Sequence, residues 1–189
     1  MDCKLKFDLH IDYICTKISR SVGILLKVRN CFPLSIMIKL YFAIVFPYIN
    51  YCNLVWGGAY ITHLNQLIII QKKVIRIIHE KPFLFHTNEL FLSSNLLKIN
   101  DIHLFSLGLY VFKNYNIINS ERPRPYNTRQ ANFLTPSYHR LTLTQKSPSY
   151  LGPVFWNSLP DQLKSLDSVP AFKRLLKRYL IDLYEDHTH

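Results

Sequence analysis

The sequence predicts a mainly α-helical protein: a helical bundle, then an irregular basic linker, then a C-terminal helical extension. Three observations carry that expectation. Apolar residues recur at spacings of three and four over several long stretches, which is the period of a helix with one buried face. Only five glycines occur among 189 residues, too few for a turn-rich β architecture or a glycine-lined phosphate loop. Apolar types make up 49% of the chain, which suits a folded core rather than a disordered polymer.

Taken in order, the first helix is expected over roughly residues 9–29, with Asp8 as its cap. Ile11, Ile14, Cys15, Ile18, Val22, Leu25 and Leu26 form its apolar stripe, and Lys17, Arg20, Lys27 and Arg29 lie largely off it. Pro33 ends that unit and opens a second helix, from Leu34 to about Asn50. This one is apolar nearly all round, the pattern of a helix buried on several sides. Residues 34–56 approach the length of a membrane span, about 20 apolar residues. Lys39, Pro47, Asn50 and Asn53 interrupt the run, so a buried helix that breaks near Pro47 is expected and no integral span. After a break at Trp56, Gly57 and Gly58, Thr62 is placed to cap a third helix reaching about Glu80. Leu64, Leu67, Ile68, Val74, Ile75 and Ile78 form its inner face, with Lys72, Lys73 and Arg76 on the other side. A short helix at 88–95 and a longer one at 101–115 complete a bundle of about five, the latter packing through Ile102, Phe105, Leu109, Tyr110 and Phe112.

Residues 116–149 lose the helical period and carry four prolines among many Ser, Thr and Asn. Brief strands at 133–134 and 141–143, or order only against a partner, are the alternatives there. One or two short helices punctuated by Pro153 and Pro160 follow. In the last helix Pro170 takes a first-turn position, and Phe172, Leu175, Leu176, Tyr179, Leu180 and Leu183 hold an apolar stripe. The organisation expected is therefore 1–115, 116–149 and 150–189.

The formal charge of +11 marks a binder of polyanions or of anionic membrane surfaces. Residues 113–178 hold eleven Lys and Arg against three acids, interleaved with Tyr126, Phe133, Tyr138 and Tyr150. Cations displace counterions from phosphates, and aromatic faces stack on exposed bases. No catalytic constellation can be assembled. Template-directed polymerisation needs paired carboxylates holding two metal ions about 4 Å apart, and the one adjacent acidic pair, Glu185–Asp186, lies at a helix end. The cysteines at 3, 15, 31 and 52 lack zinc-ligand spacing, and His63, His79 and His86 are scattered. With no signal-peptide core in the first ten residues, an intracellular compartment, cytoplasmic or nuclear, is expected.

Six phrases, in order, then resemble one family. HIDYICTKISRSVGILLKVRN, LYFAIVFPYINYCNLVWGG and THLNQLIIIQKKVIRII are similar to the region after the catalytic core of LINE-type non-LTR retrotransposon reverse transcriptases, of the jockey-like and chicken-repeat-like kinds. YNTRQANF, GPVFWNSLPDQLKS and VPAFKRLLKRYL resemble the C-terminal stretch of the same polyproteins. The resemblance implies a thumb-like bundle that packs beside a palm domain and grips template–primer RNA, DNA or hybrid; a palm in another chain is one candidate partner. The same resemblance implies duplex-backbone contacts at Lys72, Lys73 and Arg76, and leaves Arg129 either touching nucleic acid or capping a local fold. The charge pattern, by itself, adds Arg122, Arg124, Arg140, Lys173, Arg174, Lys177 and Arg178 as phosphate-contact candidates. Tyr51, Trp56, Gly57, Trp156, Asn157 and Pro160 fall at packing and turn positions. The family's catalytic aspartate motif has no counterpart in these residues, so the chain alone is expected to be inactive and to hold no cofactor, although the full-length enzymes would use Mg2+. A truncated copy, or an open reading frame from a decayed element, is the expected origin. A helical protein-interaction module, or a remnant without function, is the alternative reading.

Overall fold

A computed structural model of the chain describes residues 7–120, 133–136, 140–142 and 144–184, with the side chains of 119 and 120 excepted. The fold is mainly α: ten α-helices, one short 3-10 turn and no strand among the described residues. The chain divides into two compact units, Met1–Ile102 with Leu180–His189, and His103–Tyr179. The boundary between the units falls inside the helix Ile99–Ser120, between Ile102 and His103, and that helix is itself kinked at Asn114 (φ −112°, ψ 17°).

In the first unit, α1 (Asp8–Val28) and α5 (Ile61–Ile78) pack together more extensively than any other pair of helices. The α1 stripe is buried as its spacing requires, except that Leu26 faces solvent and Ser21 takes a core position. The Ser21 hydroxyl donates to the Ile44 carbonyl at 2.9 Å, which satisfies it there. Asp8 is the first helical residue rather than the cap. The cap position belongs to Phe7, in the left-handed region, and the Asp8 carboxylate accepts from the Leu9 amide at 2.8 Å. Likewise α5 begins at Ile61 with Tyr60 before it, so Thr62 is inside the helix and does not cap it.

The apolar run after Pro33 forms three helices: α2 (Leu34–Ile44), α3 (Phe46–Asn50) and α4 (Asn53–Trp56). The break falls at Val45, whose φ of −115° departs from the helix before Pro47 is reached. Over 34–50 only Met37, Tyr41, Val45 and Ile49 are buried, while Leu34 is 45% and Phe42 43% exposed. Burial on several sides is therefore corrected to burial on one face; spacing along the chain could not distinguish an apolar residue facing the core from one facing outward. No helix among the described residues is long and apolar enough to cross a membrane. Trp56 is buried, and its indole N–H donates to the Tyr51 carbonyl at 2.6 Å. Tyr51 thus serves through its backbone, since its ring is exposed. The nearby turn takes its left-handed residue at Cys52, not at Gly57 or Gly58.

α6 (Asn88–Ser93) leads into α7 (Ile99–Ser120). Between them the chain is anchored by Gln71, a buried amide in the middle of the α5 stripe. Its Nε2 donates to the Tyr41 hydroxyl (3.1 Å) and the Leu97 carbonyl (3.0 Å), and its Oε1 accepts from the Ile99 amide (3.1 Å). One side chain therefore joins α2, α5 and the start of α7 while leaving no part of itself unpaired.

The second unit contains most of α7, then α8 (Pro148–Ser158), α9 (Asp161–Lys164) and the greater part of α10 (Val169–Asp182). Two glycines permit close helix approach. A Cβ at Gly108 would meet a Leu176 methyl at 2.6 Å, and one at Gly152 would meet a Val111 methyl at 2.8 Å. Around these approaches Phe112 stacks on Phe172, ring centroids 4.3 Å apart, and Trp156 lies 5.7 Å from Phe172. The buried residues of α7 among those described are Ile99, Ile102, His103, Leu107, Gly108 and Val111, while Phe105, Leu109, Tyr110 and Phe112 are only half-buried. Among the described residues 133–136 and 140–142 form no strand. Leu134 is held instead by Asn157, whose side-chain amide accepts from its N–H (2.9 Å) and donates to its C=O (2.8 Å). On α10, Phe172, Leu176 and Leu180 are buried as expected, whereas Leu175 and Leu183 are partly exposed.

Replacing Gln71 by Ala strands the Ile99 amide and the Leu97 carbonyl in a buried site, and should lower unfolding free energy by about 2–4 kcal/mol in urea titration. Stability should also decline in alkali. Burial pushes the Tyr41 phenol up to about 12 from an ordinary 10.0, against a smaller opposing effect of its Gln71 hydrogen bond, and pushes the Cys15 thiol from 9.0 to about 11. An acid with a raised folded pKa contributes fully below its unfolded pKa and loses that contribution as pH climbs to the folded value. The urea midpoint should accordingly be level to about pH 9 and fall through pH 12, Tyr41 alone accounting for about 2–3 kcal/mol.

Candidate nucleic-acid interface

The basic face of α5 follows from its buried one. With Gln71 at the centre of the inner stripe, successive residues turn about 100° each. Lys72, Lys73 and Arg76 therefore fall within one arc of about 100° on the far side, together with the exposed Ile69. Lys72 and Lys73 are exposed and have no ion pair among the described residues. Arg76 differs. It is half-buried, its Nε donates to the Phe85 carbonyl at 2.9 Å, and its guanidinium lies 5.7 Å from the Phe83 ring centroid. This cation organises the loop after α5, so that of the three on this face two are exposed and one is anchored.

Sequence reasoning passed over Lys98, a lone cation in an apolar context. In the fold it stands beside the residues that Gln71 binds, one position from both Leu97 and Ile99, as Lys72 stands one position from Gln71 itself. Its ammonium lies 3.7 Å from the Tyr184 ring centroid. Burial holds its pKa below the ordinary lysine value, the Asp101 carboxylate opposes that, and the Lys72 charge adds to the lowering. Tyr184 locks the arrangement: its hydroxyl donates to Asp101 Oδ2 at 2.5 Å and accepts from the Lys98 amide at 3.0 Å. Burial raises the Asp101 pKa despite the Tyr184 hydrogen bond and the Lys98 charge. Burial, and then the Asp101 charge and hydrogen bond, raise that of Tyr184. No spacing in the sequence signals this cluster, because Lys98 and Tyr184 are 86 positions apart.

In the second unit, Lys173, Arg174, Lys177 and Arg178 lie on one side of α10, away from Phe172 and Leu176. Lys173, Arg174 and Arg178 are exposed. Lys177 is half-buried, and burial lowers its pKa. Arg140 is exposed. Arg122, Arg124 and Arg129 lie outside the described residues. Among the described residues no three His, Cys, Asp or Glu side chains are grouped to hold a metal ion. The His79 ring pairs with the Ser94 hydroxyl at 2.5 Å, and the described cysteines 15, 31 and 52 are free thiols.

An apolar helical scaffold bearing lysine- and arginine-rich faces is consistent with the protein class that the sequence comparison finds. The chain is similar to a mobile-element RNA-directed DNA polymerase, a relationship of the LINE reverse-transcriptase type. The relative is the RNA-directed DNA polymerase from mobile element jockey of Drosophila funebris, 32% identical over 105 residues. The match takes in 53% of this chain and 11% of that polymerase, so the region of similarity is a small part of the relative. No family model matches the chain, and no solved structure does.

The division of labour on α5 is measurable. Arg76→Ala frees the loop carbonyl and removes the cation from the Phe83 ring, and should lower stability by about 1–2 kcal/mol in thermal unfolding. Lys72→Ala and Lys73→Ala should each stay within about 0.5 kcal/mol of the parent.

Proposed function

We propose that this chain is a non-catalytic, thumb-like fragment of a retrotransposon reverse transcriptase that binds template–primer nucleic acid through its phosphate backbone. The observation that carries this reading is the α5 face. Lys72 and Lys73 stand outward on a helix whose opposite side is fixed in the core by Gln71, and no carboxylate neutralises either among the described residues. Such charges displace counterions from a polyanion without reading its bases, so binding is salt-dependent and weakly sequence-specific. Lys98 extends the same positive field, and Arg76 supports the helix end as well as adding charge. The similarity to the jockey polymerase supports a polynucleotide as the polyanion. The basic side of α10, with Lys173, Arg174, Lys177 and Arg178, together with Arg140 and with Arg122, Arg124 and Arg129, provides further phosphate contacts in this reading. Polymerisation would require a palm domain, which would also bring the Mg2+ ions; the described residues supply grip rather than chemistry.

The test is fluorescence anisotropy of the full chain with a labelled RNA–DNA hybrid over a salt series. Affinity should fall steeply with salt. Lys72→Ala with Lys73→Ala should weaken binding and make the log–log salt slope shallower by about 2, close to one for each phosphate no longer neutralised. Arg76 is left intact in this variant so that damage to its loop does not mimic weaker phosphate binding. Absence of binding at low salt, or an unchanged slope in the double variant, removes this face as the interface.

A further inference from the structure

The second unit contains a cavity of opposite character to the basic faces. It has a volume of about 580 Å3, within the roughly 300–1,000 Å3 of clefts that take small ligands. Phe112, Tyr115 and Trp156 are its aromatic lining residues, with the Tyr115 and Trp156 rings 5.6 Å apart. Phe112 is committed to its stack on Phe172 and Trp156 is buried, which leaves half-buried Tyr115 as the aromatic face most open to an occupant. Asp161, Lys164 and Asp167 are the charged residues of the same lining.

These charges are not equivalent. The Lys164 ammonium lies 3.4 Å from Asp161 Oδ1 and donates to the Asn157 carbonyl at 3.3 Å. Asp161, itself fully exposed, is therefore partly offset by a surface ion pair. Asp167 is exposed and has no ion pair among the described residues. Two carboxylates and one ammonium give this lining a formal charge of −1 on a chain of +11. A phosphate is repelled by that balance. A cation is drawn by the free carboxylate and by the electron-rich face of an aromatic ring.

We propose that this cavity binds a basic side chain of a partner polypeptide, with the Asp167 carboxylate and the Tyr115 ring as its contacts. Arginine fits better than lysine, since a planar guanidinium can stack on the ring while it donates to the carboxylate. Lys164 distinguishes this ligand from a nucleotide. For a cationic guest it is a competitor that occupies Asp161, so its removal frees a second carboxylate. For a nucleotide it is the one favourable charge at the site. The proposal concerns residues separate from the α5 face and stands or falls independently of nucleic-acid binding there.

The experiment is an NMR titration of the isotope-labelled full chain, following the Trp156 indole and the Tyr115 and Asp167 amides. The probes are acetyl-Gly-Arg-Gly-amide, the same peptide with Gln for Arg, and adenosine monophosphate. Saturable shifts are expected with the arginine peptide and not with the other two. Asp167→Asn should weaken that binding by about threefold to fivefold, the range of an exposed charge pair, and Lys164→Gln should strengthen it by about twofold to fivefold. Circular dichroism checks each variant's fold, and the two opposite signs cannot both come from misfolding. Shifts with the nucleotide instead, weaker arginine binding in Lys164→Gln, or no shift with any probe at millimolar concentration would each overturn the proposal.

Discussion

The first unit depends on where one amide is buried. Gln71 sits in the apolar stripe of α5, a place where an unpaired polar group would cost about 1–3 kcal/mol. It is tolerated because its three hydrogen bonds reach Tyr41, Leu97 and Ile99, on segments that no local rule brings together. The same bonds set the rotation of α5 about its axis. A helix held by leucines and isoleucines alone can roll by a fraction of a turn at little cost; one held by a buried three-bond amide cannot without breaking those bonds. The outward placement of Lys72 and Lys73 is thus a consequence of an interaction on the opposite side of the helix.

The second unit relies on backbone approach. Gly108 and Gly152 let side chains of neighbouring helices come closer than a methyl group would allow, and the aromatic stack of Phe112 on Phe172 with Trp156 alongside fills the space around them. Asn157 extends this order to Leu134 by supplying one acceptor and one donor to its backbone, much as a neighbouring strand would. A stretch with no helical period is thereby seated on α8 without forming regular structure.

Electrostatics are unevenly used. Of the cations on and beside α5, Arg76 is bound to a loop carbonyl, and Lys98 is held over Tyr184 by the Asp101 hydrogen-bond pair, while Lys72 and Lys73 remain exposed. Charge counting treats these four alike, although only the exposed two are available at no structural cost. The cavity beside Tyr115 shows the converse, a locally acidic lining within a strongly basic chain. A net charge of +11 describes the field at a distance and not the preference of each surface at close range.

The sequence by itself determined the mainly α class, the inner stripes of α1 and α5, the Phe172–Leu176–Leu180 line of α10 and the basic residues opposite them, because helical spacing converts directly into faces. It also carried the likeness to LINE reverse transcriptases that the jockey match supports. Helix ends were less legible: Asp8 and Thr62 are residue types that cap helices, yet neither caps one here, since the cap positions are Phe7 and Tyr60. Tertiary structure alone decided that the run after Pro33 buries one side only and that Arg76 serves the loop. It also brought Lys98, Asp101 and Tyr184 together, and made a cavity from α7, α8, α9 and the chain that follows α9. The physical reason is common to all of these. Local spacing specifies direction around one helix axis, whereas pairing between residues dozens of positions apart depends on which helices the whole core brings together.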